Sequence, residues 1–196
     1  MTISKGSAYG DPGASLPVDG VRCASDGDAR RAVEAARATG RPFPVLGLVG
    51  GDLARTLGGT GALDVAFPVD LGQVLVDGRL HLFVATCVVR NRWWTRTVAV
   101  GNAQWLGTWN LWPKGHPNDG RLDVLDARLP VGDLRKVRAR LGTGTHLPHP
   151  GIQARRVRAE TLELDRPLGV WLDGERIGRG RTLAFRCVAD ALRVLV

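Results

Sequence analysis

The sequence predicts a short α/β segment followed by a β-sandwich, and three observations carry that expectation. Between Val21 and Gly40 an apolar stretch, an acidic glycine turn and a helical period follow one another in the order strand, turn, helix. From Phe67 onward the texture changes to short alternating segments punctuated by Asp-Gly and Arg-Pro. With 196 residues, 44% of them apolar, the chain can bury a core as one domain or as two small ones sharing a cleft.

Taken in order, residues 1–20 are rich in Gly, Ser, Ala and Pro without a hydrophobic period and read as a flexible arm. Residues 21–65 form the α/β part. Val21 to Ala24 is a short strand, Ser25-Asp26-Gly27-Asp28 a turn in which Asp26 or Asp28 caps the next helix, and Ala29, Ala32, Val33 and Ala36 fall at helical spacing up to Gly40. Phe43 to Leu48 is the next strand; Gly50-Gly51-Asp52 ends it, and Asp52 is placed to cap a short helix from Leu53 to Leu57. Some 45 residues are too few to cover both faces of a parallel sheet. This remnant must lean on the second lobe or on another chain.

Residues 66–196 read as the β-sandwich. Gln73 to Val76 and Leu80 to Val89 are joined by Asp77-Gly78, a two-residue hairpin signal, and Thr97 to Val100 extends the sheet. Trp93-Trp94 interrupt it, either as core aromatics or as a pair resting at a membrane interface. Asn102 to Val124 contains three tryptophans, a proline-bounded loop and the turn Asn118-Asp119-Gly120, after which Leu122, Val124 and Leu125 resume a strand. Val131 to Leu141 reads as a basic amphipathic helix that covers one sheet face. Val157 to Leu164, Leu168 to Leu172, Thr182 to Val188 and Leu192 to Val196 complete the sandwich pattern.

Composition narrows the function. No apolar run approaches the roughly 20 residues that span a bilayer, and the first residues lack the apolar core of a signal peptide, so a cytoplasmic location is expected. Cys23, Cys87 and Cys187 lie far apart in apolar runs and read as buried thiols in a reducing compartment. The net charge of +8 points to an anionic partner, with the densest arginine between Arg135 and Arg158, although a solvated face is the plainer alternative. No helix-turn-helix, zinc finger or RNP motif accompanies that charge, which argues against nucleic acid and for lipid headgroups or nucleotide phosphates.

Three blocks carry a family resemblance. Asn102 with Gly107 five residues on, then Asp119-Gly120 followed by Leu122-Asp123-Val124, resembles the C-terminal half of bacterial diacylglycerol kinases and sphingosine kinase-like lipid kinases. Leu172-Asp173-Gly174-Glu175 looks like the L-D-G-E motif of that family, and Gly144-Thr145-His146 with His149-Pro150 resembles another of its segments. The likeness runs from about Val21 to Val196, and it implies the fold of NAD kinases and diacylglycerol kinases. The reaction it implies is transfer of the ATP γ-phosphoryl group to a lipid hydroxyl, with Mg²⁺ held by Asp119 and the carbonyls of His116 and Arg121, and Glu175 accepting the hydroxyl proton. Nucleotide phosphates would sit at Ser25, Asp26, Gly27 and Asp28 and at Gly50, Gly51 and Asp52.

The chain departs from the family at those two turns. Ala24 and Ser25 replace glycines of a G-G-D-G-T segment and Asp28 its threonine; Leu48, Val49 and Gly51 replace the glycine, threonine and asparagine of G-T-G-N-D. Nothing upstream of Val21 resembles the opening phosphate loop. Weak ATP binding is therefore expected, and a non-catalytic lipid- or partner-binding descendant is the alternative to an active kinase. A homo-oligomer or partner chain completing the α/β lobe, and peripheral association with the inner membrane face, are further expectations.

Overall fold

The computed structural model of the chain describes residues 9–196. Its first strands and helices are β1 (Asp11–Pro12), β2 (Val21–Cys23), α1 (Asp26–Ala38), β3 (Leu46–Leu48) and α2 (Asp52–Thr56). Then follow β4 (Val65–Val76), β5 (Arg79–Phe83), β6 (Thr86–Arg90), β7 (Arg96–Gly101), β8 (Trp105–Leu106), β9 (Trp109–Asn110) and β10 (Leu122–Arg128). The chain ends with α3 (Val131–Leu141), β11 (Ile152–Val157), β12 (Ala159–Leu172) and β13 (Glu175–Leu195). The main sheet runs β1-β4-β13-β12-β6-β7-β10-β11, with β5 on β4 and the parallel pair β2-β3 attached through β3 to the end of β13.

This sheet folds over on itself as a β-sandwich. Val74, Val76, Leu183 and Phe185 from β4 and β13 face Val89, Val98, Val100, Leu122 and Val124 from β6, β7 and β10 across a closed apolar layer. Alternate residues point the other way, as the two-residue period of a strand requires. Ala99, Leu125 and Ala127 thus meet Val137 and Leu141 of α3 and the tryptophan-rich segment that carries β8 and β9. At the far end, Cys23, Val33, Leu46, Leu48 and Leu53 pack with Val69, Leu71, Leu82, Leu192 and Val194. The α/β segment of residues 21–65 thus shares its core and its sheet with the sandwich strands.

Several boundaries differ from expectation for local reasons. The strand expected over Leu80–Val89 is two strands, because the Asp173 carboxylate accepts the amides of Val84, Ala85 and Thr86 and turns the chain between them. The paired segments expected on either side of Arg166-Pro167 are one long strand β12 with a register shift between Glu163 and Leu168. The last two expected strands are likewise one 21-residue β13, kinked between Val188 and Leu192 where Asp190 has φ +52° and held through the kink by β4. The strand expected from Phe43 begins only at Leu46. Of the expected arm, residues 1–8 lie outside the described residues. From Tyr9 on it is anchored at two points, the Tyr9 ring against Phe67 and His116 and β1 against β4, while Val18 is fully exposed.

The predicted Asp77-Gly78 hairpin forms and Asp173-Gly174 makes a second, with Asp77 and Gly78 at φ +48° and +85° and Asp173 and Gly174 at +49° and +83°, the left-handed pair that a two-residue turn needs. The cysteines are free, Cys23 and Cys87 buried and Cys187 half-buried. Among the described residues no helix is long and apolar enough to cross a membrane.

Candidate functional site

The two turns of the α/β segment come together, but they satisfy each other. The N-cap of α1 is Ser25, whose hydroxyl accepts the Asp28 amide at 3.1 Å while Asp28 accepts from Ser25 Oγ and the Ala24 amide, a reciprocal capping box. This corrects the expectation that Asp26 or Asp28 supplies the cap. Asp26 instead reaches across to α2 and accepts the amides of Asp52 at 2.6 Å and Leu53 at 3.2 Å. Those amides are the ones that a phosphate at this turn would use.

Gly51 makes the approach possible. It has φ +102°, and a Cβ there would lie 2.5 Å from Asp26 Oδ1. Gly50 is as tight, since its Cβ would meet the Ala24 carbonyl at 2.6 Å. Burial raises the Asp26 carboxyl to about 6 against the opposing pull of its two amide bonds, with Asp52 adding to the rise. The Asp52 side chain does not cap α2, contrary to expectation; Oδ1 accepts the Gly107 amide at 2.8 Å and ties the turn to the β8–β9 hairpin.

Glu175 opens β13 directly after the Asp173-Gly174 turn and forms ion pairs with both Arg30 and Arg31 of α1. Arg30 is 6% exposed; it also bonds Glu34 at 2.9 Å and lies 4.0 Å from Asp173. Arg31 continues the chain to Asp28. The Glu175 carboxyl rests against Gly27, where a Cβ would come within 2.9 Å. Asp173, fully enclosed, is pushed up to about 7 by burial, with Asp26 adding to the rise against its three amide bonds. The L-D-G-E segment thus clamps α1 onto the sandwich, and Glu175 meets the Ser25–Asp28 turn.

Asp119 belongs to a separate group of contacts. The turn that carries it is pinned by Asp70, which accepts the amides of Gly120 at 2.6 Å and Asp190 at 2.9 Å and whose own amide donates to the Pro117 carbonyl. Asp119 Oδ1 accepts the Arg121 amide at 3.0 Å, and its other oxygen pairs with Arg156, whose Nε lies 3.2 Å from Asp123 Oδ1. His116 accepts the Asn118 amide through Nδ1, and burial lowers its basicity. A magnesium ion takes an octahedral shell of hard oxygens and gains most from uncompensated carboxylates. Both Asp119 oxygens already have donors, the Arg121 amide and the Arg156 guanidinium. As arranged, Asp119 does not fit that ion while Arg156 and the Arg121 amide hold its two oxygens.

A feature with no clear signal in the sequence lies under α3. A cavity of about 190 Å³ is walled mainly by apolar side chains, among them Trp93, Trp109, Leu125 and Val137, with Arg135 and Arg138 also on its wall. Trp93 is 69% exposed, Trp94 has φ +61° and stands edge-on to Trp109, and the Arg90 guanidinium lies 4.1 Å from the rings of both Trp94 and Trp171. His146, 2% exposed, also lines the cavity, and its ring nitrogens form no hydrogen bond among the described residues. Burial lowers its basicity, although the nearby Leu111 backbone pulls the other way without reaching hydrogen-bond geometry.

Comparison with known proteins agrees with this architecture. No curated protein matches the sequence. Two solved chains from Bacillus anthracis str. Sterne, each described as a candidate diacylglycerol kinase, superpose with TM-scores of 0.61 and 0.60 at 14% and 15% identity, over 88% and 78% of this chain and 84% and 70% of theirs. A third, described as a diacylglycerol kinase from the same organism, gives 0.55 at 14% identity over 78% of this chain and 67% of its own. At such identities the likeness speaks of the fold alone. Residues 61–196 match the YegS C-terminal NAD kinase beta sandwich-like domain, and the chain belongs to that family.

Proposed function

We propose that the protein binds a lipid in the cavity under α3 and does not itself transfer phosphate from ATP. The observation that carries the reading is the cavity: tryptophan and aliphatic walls, one buried imidazole and two arginines. An apolar cavity of about 150 Å³ takes a guest the size of benzene, so this one admits a short run of acyl chain. The arginines and the exposed Trp93 suit an anionic bilayer as the source of that chain.

The second half of the reading rests on three internal contacts. Asp26 fills the amides at which ATP phosphates would dock, Arg30 and Arg31 neutralise Glu175, and Arg156 neutralises Asp119. ATP and Mg²⁺ must displace each of these. The competing reading, phosphoryl transfer to diacylglycerol or a related lipid, is favoured by Glu175 itself, whose side chain remains 43% exposed beside the turn.

The test is displacement of a fluorescent acyl probe from the full chain by a lipid panel, beside transfer of labelled phosphate from Mg-ATP to the same lipids. Displacement that is indifferent to Mg-ATP, without labelled lipid, is expected. Labelled lipid that disappears in Glu175→Gln restores the kinase.

A further inference from the structure

We propose that Arg156 is a built-in cation standing where the family resemblance places a divalent metal, so that the Asp119 turn is organised by the chain's own guanidinium. The register of β10 and β11 sets Arg156 directly opposite Asp123, on the edge strand of the sheet. From there the side chain passes Asp123, with Nε 3.2 Å from Oδ1, and ends on Asp119. Both carboxylates are mostly covered, with 14% and 19% of their side chains exposed, so the cation between them is poorly replaced by water.

A planar guanidinium serves two carboxylates at once through donors on different edges, which a point charge such as lysine does less well. The remaining Asp119 oxygen closes its own turn on the Arg121 amide, and Asp70 fixes the same turn from below through Gly120. The Asp119 carboxylate and its turn are thus held from within. Arg156 is also spent as an anion receptor, since its near faces are committed to Asp119 and Asp123.

The test uses Mn²⁺ as probe, read by loss of the free-ion electron paramagnetic resonance signal, and Mg²⁺ in thermal unfolding of the full chain. Wild type is expected to leave the Mn²⁺ signal unchanged and to show the same Tm in EDTA and in millimolar Mg²⁺. Arg156→Gln uncovers the two carboxylates. It is expected to take up Mn²⁺ and to gain roughly 5 °C in Tm at about a hundredfold excess of Mg²⁺ over its Kd. Adding Asp119→Asn to that variant abolishes the gain, and Arg156→Lys, which keeps a cation, shows none. Mn²⁺ binding by wild type that vanishes in Asp119→Asn overturns the proposal, as does a folded Arg156→Gln that takes up no Mn²⁺. Where Arg156→Gln does not fold, wild type and Arg156→Lys decide by the same criteria.

Discussion

Asp26 of α1 accepts two backbone amides of α2, those of Asp52 and Leu53, and so places a carboxylate where a nucleotide phosphate would dock. A fixed charge on those donors is more than a missing glycine: it repels an incoming phosphate and removes its hydrogen bonds together. Charge-assisted bonds of this kind are worth about 1.5–3 kcal/mol each, so losing several moves a micromolar site into the millimolar range. Calorimetry of the full chain with Mg-ATP is expected to show no micromolar binding. Micromolar heat would mean that Asp26 swings aside.

The same carboxyl sets a pH dependence. Its folded value of about 6 lies above the unfolded value of about 3.9. Between those values the folded chain holds more protons, so the stability it contributes is fully present below about pH 4 and is lost as pH rises through about 6. The contribution is on the order of 3 kcal/mol. Asp26→Asn is expected to flatten this part of the stability profile in urea titrations from pH 4.5 to 7.5, and an unchanged slope would assign the effect elsewhere.

Arg30 and Arg31 both pair with Glu175, yet their removal should differ. Arg30 is buried beside Asp173, and Arg30→Ala leaves that enclosed carboxyl without its cation, a loss of about 3 kcal/mol or more. Arg31 is 53% exposed, where solvent screens the pair, and Arg31→Ala should shift the urea midpoint little. Equal shifts for the two variants would mean that the Glu175 contact, and not the buried one, holds α1.

How much of this was legible follows from where the cause lies. The α3 boundaries Val131–Leu141 and the Asp77-Gly78 turn carry their instructions locally, in an apolar period and in two residues that tolerate positive φ, and they are where the sequence puts them. The break between β5 and β6 is made by Asp173, 89 positions beyond Val84, and nothing near Val84 announces it. The motif carboxylates Glu175 and Asp119 could be located from their turns. Their neutralisation could not, because it depends on α1 docking against the β12–β13 hairpin and on the register that brings Arg156 opposite Asp123. The arginine density between Arg135 and Arg158 is visible as charge, and only the alternation of β11 shows that Arg155 and Arg156 serve different carboxylates, Glu160 and Asp119.

His146 offers a test of the cavity that is independent of any lipid. A buried imidazole without partners carries its desolvation uncompensated, at about 1–3 kcal/mol. Replacing it by an apolar side chain of similar reach, His146→Leu, is expected to raise Tm by several degrees. A lower Tm would show that the ring makes a bond through ordered water.

The last prediction concerns the outer surface of the same cavity. Trp93 is 69% exposed with the Arg92 guanidinium 5.3 Å from its ring, Val131 at the start of α3 is equally exposed, and Arg135 and Arg138 lie on the cavity wall. An indole is at home at the boundary between headgroups and acyl chains, and each basic group near an anionic surface adds on the order of 1 kcal/mol. Phosphatidylserine vesicles are therefore expected to bind the chain, to shift its tryptophan emission to the blue, and to release it as salt rises. Neutral phosphatidylcholine vesicles lack the electrostatic part and should bind more weakly. Trp93→Ser should remove most of the spectral shift while leaving the salt dependence, whereas the double variant Arg135→Ser/Arg138→Ser should do the reverse. Equal binding to both vesicle types at all salt concentrations would exclude this face as the route by which a lipid reaches the cavity.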